Sequence, residues 1–278
     1  MYVKPLQTFI AIEGNRNMHF IVCIKQVPGT TEIKIDPKTN TLIREGVESI
    51  LNPFDAYAIE EAVRLKEKYG GTVTAISMGP NQCETTLREA VSLGVDNIIL
   101  LSDRRFAGAD TYATSLTLAA AIRKIGDYTL ILTGQQAIDG DTGQVGPGIA
   151  AHLNIPQTCF VRKIESFNEQ QAVVERLLED GFDRVSMQLP ALISVVKEIN
   201  VPRLPSLRGK RNAKTVPLTV WNCDDLGLDE KETGLNGSPT QVLNIFSPHH
   251  EKQVEKFEGN SDEAVELIVQ RLSELTNR

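Results

Sequence analysis

Short apolar runs alternate with longer amphipathic segments from residue 18 onward. The runs rich in Val, Ile and Leu fall at residues 19–27, 72–77, 97–101 and 128–133. Each is nearly continuous, which is typical of strands buried on both faces of a parallel sheet. Because helical patterns lie between them, the sequence predicts an α/β fold with a doubly wound, mostly parallel sheet.

The segments between these runs carry signals for helix starts and stops. Asn52 stands at an N-cap position and Pro53 at the first helical position, and apolar residues then recur at steps of three and four up to the glycines at 70–71. A second helix is predicted over residues 82–93. A third is predicted over residues 110–125, with an aspartate as its N-cap.

The pattern changes after Pro156 to strands without intervening helices. These runs lie at residues 157–164, 172–178, 184–189 and 191–196. The sequence Glu179-Asp180-Gly181 is typical of a hairpin turn, so the sheet is expected to have an antiparallel edge.

The C-terminal part reads differently from the rest. Residues 215–260 show little periodicity, and a last amphipathic helix begins at Ser261. We therefore expect an α/β domain over residues 18–214 and an extended C-terminal arm with its helix over residues 215–278. Such an arm needs another surface to pack against.

Composition narrows the class of protein. The chain has 278 residues, 41% of them hydrophobic, and its longest apolar runs are far shorter than the roughly 20 residues of a membrane span. Residues 1–17 resemble neither a strand nor a signal peptide, so we interpret them as a disordered leader or a misassigned start. The four cysteines are widely spaced and form no metal-binding motif, which favours reduced thiols and a cytoplasmic location.

Charge is unevenly distributed along the chain. Residues 224–278 hold twelve acidic and five basic residues, which accounts for the whole net charge of −7. Five cations and no acid lie between Arg203 and Lys214. The pI of about 5.3 and the lack of interleaved aromatic residues argue against nucleic acid and favour a protein partner for this basic segment.

A glycine-rich stretch over residues 133–148 is the best candidate for a binding site. It follows a predicted buried strand and leads into a helix, where parallel α/β sheets bind ligands, and its glycines let backbone N–H groups approach a phosphate. Asp139 and Asp141 would repel phosphate, so we expect them to accept from ribose hydroxyls or nearby backbone N–H groups. The alternative is a turn shaped only for packing.

Other loops are expected at the same edge of the sheet. Residues 25–28 end the first predicted strand, residues 78–81 follow the second, and residues 52–55 start the first helix. Catalytic and metal-binding constellations are missing, because none of the four histidines lies near an identifiable nucleophile. A bound cofactor is therefore expected to carry any chemistry.

Several segments together resemble the beta subunit of electron-transfer flavoproteins. The resemblance runs from Met18 to the end of the chain and is carried by MHFIVCIKQV, NPFDAYAIEEAVRLKEK, SMGPNQC, GQQAIDGD and EINVPRLPSLRGKRNAK. It implies a heterodimer with an alpha subunit that holds a redox-active FAD. It also implies that the C-terminal arm packs on the alpha subunit.

The resemblance implies which residues contact the nucleotide. They are Cys23, Asn52, Pro53, Phe54, Asp55, Met78, Gly134, Gln135, Gln136, Ala137, Ile138, Asp139, Gly140, Asp141, Thr142, Gly143, Gln144 and Val145. It further identifies residues 202–214 as a recognition loop that docks an acyl-CoA dehydrogenase-type partner. There Leu207 is the apolar anchor, and the surrounding cations are Arg203, Arg208, Lys210 and Arg211.

The family divides into carriers whose beta subunit binds AMP and bifurcating members whose beta subunit binds a second FAD. Gly140, Thr142 and Gly143 are small where AMP-binding carriers have bulkier or more acidic residues. We therefore favour FAD over AMP, and with it electron bifurcation involving NADH and ferredoxin. Two other readings stay open, a universal-stress-type nucleotide-binding regulatory module and a purely structural subunit.

Overall fold

The computed structural model describes residues 18–29, 34–35, 42–43, 48–243, 256 and 260–276. The expected leader, residues 1–17, lies outside these residues, as does most of the segment from 244 to 259. The described residues divide into two compact units, one up to residue 242 and the other from residue 243 onward.

The predicted strands and helices occur in the predicted order, together with short elements that the sequence does not predict. The strands are β1 (His19–Cys23), β2 (Gln26–Pro28), β3 (Lys34–Ile35), β4 (Leu42–Ile43), β5 (Ser49–Leu51), β6 (Thr72–Met78), β7 (Asn97–Leu101), β8 (Leu130–Gly134), β9 (Gln157–Phe167), β10 (Gln171–Leu177), β11 (Phe182–Gln188), β12 (Ala191–Val195) and β13 (Leu218–Trp221). The helices are α1 (Pro53–Tyr69), α2 (Glu84–Leu93), α3 (Thr111–Ile125), α4 (Val145–Leu153), α5 (Leu207–Asn212) and α6 (Ser261–Thr276). Short 3₁₀ turns lie at Asn81–Cys83, Arg104–Phe106, Lys197–Ile199, Asp224–Leu226 and Glu230–Glu232.

One nine-stranded sheet organises the first unit, in the order β11-β10-β9-β12-β8-β1-β6-β7-β13. In the part of the sheet with the order β9-β12-β8-β1-β6-β7-β13, all neighbouring strands are parallel. At the other edge, β10 pairs antiparallel with both β9 and β11. The hairpin between β10 and β11 closes with Leu178 N–H donating to the carbonyl of Gly181 over 2.9 Å. The predicted α/β fold, its parallel sheet and its antiparallel edge are confirmed.

The core lies on both faces of this sheet. One face packs against α1 and α2 through residues such as Ala58, Ile59 and Leu87. The other packs against α3 and α4 through residues such as Ile122 and Ile149. Every residue of β8 is buried, because helices cover the sheet on both sides, and this explains its continuous apolar run.

Two of the predicted elements are each divided in two. The run at residues 19–27 is split, because the backbone N–H of Lys25 donates to the Asp55 carboxylate and its carbonyl accepts from Asn52 N–H. The chain then resumes as β2, which pairs antiparallel with β5. The second helix begins with a 3₁₀ turn at Asn81–Cys83 before α2.

The expected arm begins later than residue 215. Leu218–Trp221 forms an edge strand parallel to β7, and Cys223 is fully buried. Residues 215–242 therefore belong to the first unit, since they complete the sheet and cover its edge. In the second unit, α6 has four half-exposed apolar side chains on the described residues Val265, Ile268, Val269 and Leu272. No helix among the described residues is long and apolar enough to cross a membrane.

Candidate nucleotide-binding site

Asp55 joins two strand ends at the carboxyl edge of the sheet. Its carboxylate accepts a 2.7 Å hydrogen bond from the backbone N–H of Lys25, just beyond β1, and a further bond from the backbone of Gly134 at the end of β8. Asp55 lies in the first turn of α1 and is buried. Burial raises the pKa of Asp55 to about 7, although the bonds from Lys25, Asn52 and Gly134 favour the charged form.

Gly134 permits this close approach of strand and helix. A Cβ at this position would lie 2.5 Å from Asp55 Oδ1 and 2.7 Å from the carbonyl carbon of Phe54. Backbone atoms cannot yield as the end of a flexible side chain can. The residue after the β8 threonine must therefore be glycine for α1 to start here.

Asn52 connects the start of α1 to the glycine-rich loop, residues 134–144. Its side chain makes no cap bond to its own helix. Instead Nδ2 donates to the carbonyl of Gln136 over 2.9 Å, and Oδ1 accepts from Ile138 N–H over 3.2 Å. The predicted N-cap position is correct, but its side chain is used to fix the loop.

The two aspartates of the loop accept from side chains. Lys25 Nζ lies 2.7 Å from Asp139 Oδ1, and Gln136 donates to the Asp141 carboxylate. Asp141 and Gly143 both have positive φ, at 53° and 62°. These contacts give the loop a fixed path, and they replace the backbone donors expected for Asp139 and Asp141.

Gly140 lies at the exposed part of this loop. A Cβ built there would meet no atom within 4 Å, and the backbone of Gly140 does not have positive φ. The absence of a side chain at this position is therefore required neither by the backbone nor by internal packing. It leaves open space on the outer side of the loop.

Two helices begin at this edge. α1 starts at Pro53, and α4 starts at Val145 directly after the loop. Unpaired backbone N–H groups and the helix dipole favour negative charge at such positions. Thr133, at the end of β8, has a buried Oγ1 without a hydrogen-bond partner in the described part of the chain. Backbone donors thus lie at this edge, whereas the Thr133 hydroxyl is buried beside Gly146 of α4.

Cys23 ends β1, the strand next to β8, and Met78 ends β6 on the other side of β1. Cys23 is buried at the end of β1, and burial raises the pKa of its thiol to about 12, with a smaller contribution from the charge of Asp55. Its thiol is therefore neutral at ordinary pH. Met78 is half-buried and packs beside the core on the α3 side of the sheet. Both side chains can contact a ligand without reacting with it.

The structure brings most of the predicted contacts to this edge, as the sheet topology requires. Lys25 lies here as well, in the segment 25–28 that the sequence predicts at this edge. The bond between Lys25 and Asp139 has no signal in the sequence, because the two residues are 114 positions apart.

A family model described as an electron transfer flavoprotein domain matches residues 39–226 of the chain. The chain belongs to the electron transfer flavoprotein family. The "Electron transfer flavoprotein subunit beta" of Thermoanaerobacterium thermosaccharolyticum is 52% identical, over 92% of this chain and 98% of its own length. The predicted resemblance is confirmed.

Two further relatives of this flavoprotein beta subunit carry more specific names. The "Caffeyl-CoA reductase-Etf complex subunit CarD" of Acetobacterium woodii is 48% identical, over 92% of this chain and 98% of its own. "Protein FixA" of Azotobacter vinelandii is 43% identical, over 93% and 94%. As a beta subunit of this family, the chain has an alpha subunit as its partner.

The segment expected to dock a partner is not a loop throughout. In this electron transfer flavoprotein chain, Leu207–Asn212 forms the short helix α5, and Ser206 caps it by accepting from Gly209 N–H over 2.9 Å. Gly209 is buried against α2, since a Cβ there would lie 2.1 Å from the carbonyl oxygen of Ser92. The expected projecting loop is thus wrong in its backbone, because the cap and this contact favour a helix.

The side chains of this segment divide into two groups. Leu207 is 89% exposed, and Arg208, Lys210 and Arg211 are exposed beside it, as a docking surface requires. Arg203 instead pairs with Glu60 at 2.7 Å and with Glu67 at 2.6 Å, both on α1. Its guanidinium is therefore paired inside the subunit, and its part in docking stays a prediction.

Proposed function

We propose that this chain holds an adenine nucleotide at the carboxyl edge of its sheet and forms an electron-transferring heterodimer with its alpha subunit. The observation that carries the proposal is the fixed glycine-rich loop beside two helix starts. Asn52 and Asp55 use their polar atoms to hold backbone, so the surface left for a ligand consists of backbone donors. That surface suits phosphate and ribose groups.

The residues present fit FAD. Asn52, Pro53, Phe54 and Asp55, with Cys23, Met78 and residues 134–145, would hold it, and the open space beside Gly140 admits a ligand larger than an adenylate. When bound, the flavin supplies the redox chemistry that the side chains themselves lack. The chain itself orients the nucleotide at the ends of its buried strands.

We favour FAD over AMP, and electron bifurcation over simple electron carriage. Small residues at Gly140, Thr142 and Gly143 support this choice, as does likeness to a subunit named for a caffeyl-CoA reductase-Etf complex. In this proposal NADH and ferredoxin exchange electrons with the heterodimer, and an acyl-CoA dehydrogenase-type partner docks on Leu207 and its cations. The reduced thiols support a cytoplasmic location.

Nucleotides released from the purified heterodimer by acid test this proposal. We expect two FAD and no AMP per heterodimer, one FAD from each subunit. One FAD and one AMP would favour the housekeeping carrier, and a single FAD without AMP would contradict a nucleotide site in this chain.

A matched pair of variants locates the site. Gly140→Val places a branched side chain in the open space beside the loop, so we expect it to release nucleotide. Gly181→Val is the control, because Gly181 is equally open but lies in the hairpin turn between β10 and β11. Full occupancy in Gly140→Val would contradict the assignment to this loop.

We also propose that the second unit, residues 243–278, packs on the alpha subunit. The four apolar side chains of α6 are each more than half exposed within it, and an apolar face of this kind is normally covered. Deleting residues 243–278 should weaken heterodimer formation while leaving the first unit folded. Unchanged assembly in sedimentation velocity would argue against it.

A further inference from the structure

Arg203 is the centre of a partly buried ion-pair group on α1. Its Nε lies 2.7 Å from Glu60 Oε2, and its Nη1 and Nη2 lie 2.6 and 2.9 Å from the two carboxylate oxygens of Glu67. The backbone N–H of Arg203 donates to Glu60 as well, over 3.2 Å. The side chain of Glu60 is only 4% exposed. A guanidinium that spans two carboxylates in this way fixes both position and orientation.

Protonation of the two carboxylates would weaken this arrangement, but both are held in the charged form. Burial acts to raise the pKa of Glu60, yet hydrogen bonds from Arg203 and Arg64 outweigh it and lower that pKa below its ordinary value. The hydrogen bond from Arg203 lowers the pKa of Glu67. The ion pairs are therefore present at any pH near neutrality.

The residues just before Arg203 in the chain are also held on α1. Asn200 Nδ2 donates to the carbonyl of Tyr57 and to Glu61 Oε2, both over 3.0 Å. Arg64 donates to the carbonyl of Val201 over 3.4 Å. The α1 residues involved recur at steps of three and four, so one face of the helix carries the whole attachment.

The other end of the segment is fixed on α2. Gly209 lies against the carbonyl of Ser92, and the Ser206 cap sets the start of α5. Residues 204–207 thus run between an attachment on α1 and one on α2. Pro202 and Pro205 further restrict the backbone here.

Three apolar side chains of this stretch are left to solvent. Val201 is 79% exposed, Leu204 is 88% exposed and Leu207 is 89% exposed. The cations Arg208, Lys210, Arg211 and Lys214 are exposed beside them, with no acid between residues 203 and 214. An apolar patch with a cationic rim suits a partner that has an apolar pocket and an acidic rim.

We propose that Arg203 is a positioning residue for partner docking, and that it holds Val201, Leu204 and Leu207 as one preformed apolar surface for an acidic-rimmed flavoprotein dehydrogenase. This inference rests on the proposed docking function of Leu207. Without Arg203 the stretch would have to become ordered on binding, and that loss of freedom would reduce affinity. Arg203 acts through its neighbours and does not touch the partner.

A double-mutant cycle on the purified heterodimer tests the proposal. The probe is a purified acyl-CoA dehydrogenase that the wild-type heterodimer reduces, and the readouts are its Kd and the nucleotide content. We expect Leu207→Ala to weaken binding roughly thirtyfold. We expect Arg203→Ala to weaken it roughly tenfold, and the double variant to be little weaker than Leu207→Ala alone. Nucleotide content should not change.

Arg208→Ala is the matched control, because Arg208 is an exposed cation of the same segment without a role on α1. Its effect should multiply with that of Leu207→Ala and should fade at high salt, whereas the effect of Arg203→Ala should persist. If Arg203→Ala assembles poorly, Glu67→Gln and Arg203→Lys test the same pairing from the surface side.

The outcomes separate the two claims. Unchanged affinity in Leu207→Ala overturns the proposed docking function itself. Normal affinity in the Arg203 and Glu67 variants, or effects of Arg203→Ala and Leu207→Ala that multiply fully, overturns the positioning role. A loss that disappears at high salt would make Arg203 an ordinary rim cation, which also overturns it.

Discussion

The nucleotide edge and the docking segment, residues 200–212, use charged and polar side chains in the same way but leave opposite surfaces. At the edge, Asp55 and Asn52 hold backbone, and what remains exposed is a mostly polar loop that contains glycine. In the docking segment Arg203 holds the chain on α1, and what remains exposed is apolar. In both regions the polar residues that the sequence marks as candidate contacts are framework residues, which means that they hold the backbone of the subunit in place.

This comparison separates two kinds of failure. Substitutions in the framework of the edge should lower both the stability of the protein and its nucleotide content, because the same residues hold the loop and α1. Substitutions on the docking surface should lower only the affinity for the partner, because its apolar side chains have few contacts within the subunit.

The largest effect is expected at Gly134. Gly134→Ala would place Cβ 2.5 Å from Asp55 Oδ1 and 2.7 Å from the backbone of Phe54, so strand and helix must separate. We expect the free energy of unfolding to fall by about 3 kcal/mol, with loss of bound nucleotide. Urea unfolding of the heterodimer measures it.

Gly140→Ala provides the control for this prediction. It lies in the same loop but in open space, so its effect on stability should stay within about 0.5 kcal/mol. If the two alanine variants were equally stable, the close approach at Gly134 would not govern this edge.

A smaller effect is expected at Leu207. Leu207→Ala should reduce affinity for the partner dehydrogenase by about 2 kcal/mol, because a side chain that is 89% exposed in the subunit has most of its surface available for burial. Titration calorimetry measures the loss, and flavin content should be unchanged. Leu178→Ala, at the β10–β11 hairpin, is the control and should bind normally. A variant that loses flavin but keeps its affinity would reverse the roles of the two regions.

The parts of this fold that depend on local signals agree with the sequence. α1 begins at Pro53 and ends before Gly70 as predicted, because proline and glycine act on their own stretch of backbone. The positions of the glycine-rich loop and of Leu207 follow from strand order and from the resemblance.

The parts of the fold that depend on contacts between distant residues differ from what the sequence predicts. The break after β1 results from a bond between Lys25 and Asp55, and the role of Arg203 results from Glu60, which lies 143 positions earlier. β13 lies in the segment that the sequence predicts as an extended arm. As an edge strand with half-exposed residues, it has no continuous apolar run that would predict a strand. Such contacts are set by the folded topology and leave no spacing in the sequence.

The smallest effect concerns the pH dependence of stability at Asp55. The pKa of this carboxyl is about 7 in the folded protein, against about 3.9 in an unfolded chain. The folded state therefore binds the proton more tightly than the unfolded state. Its stabilising contribution is fully present below about pH 4 and is lost as the pH rises through about 7.

Asp55→Asn removes this titration while keeping the shape of the side chain. Over the one pH unit from about 5.5 to 6.5, we expect the unfolding free energy of the wild-type heterodimer to fall by up to about 1.4 kcal/mol relative to Asp55→Asn. Parallel curves for the wild type and Asp55→Asn would mean that Asp55 is charged throughout this range. In that case the hydrogen bonds from Lys25 and Gly134 would outweigh burial. The edge would then be held by an ionised carboxylate, just as the ionised carboxylates of Glu60 and Glu67 hold Arg203 on α1.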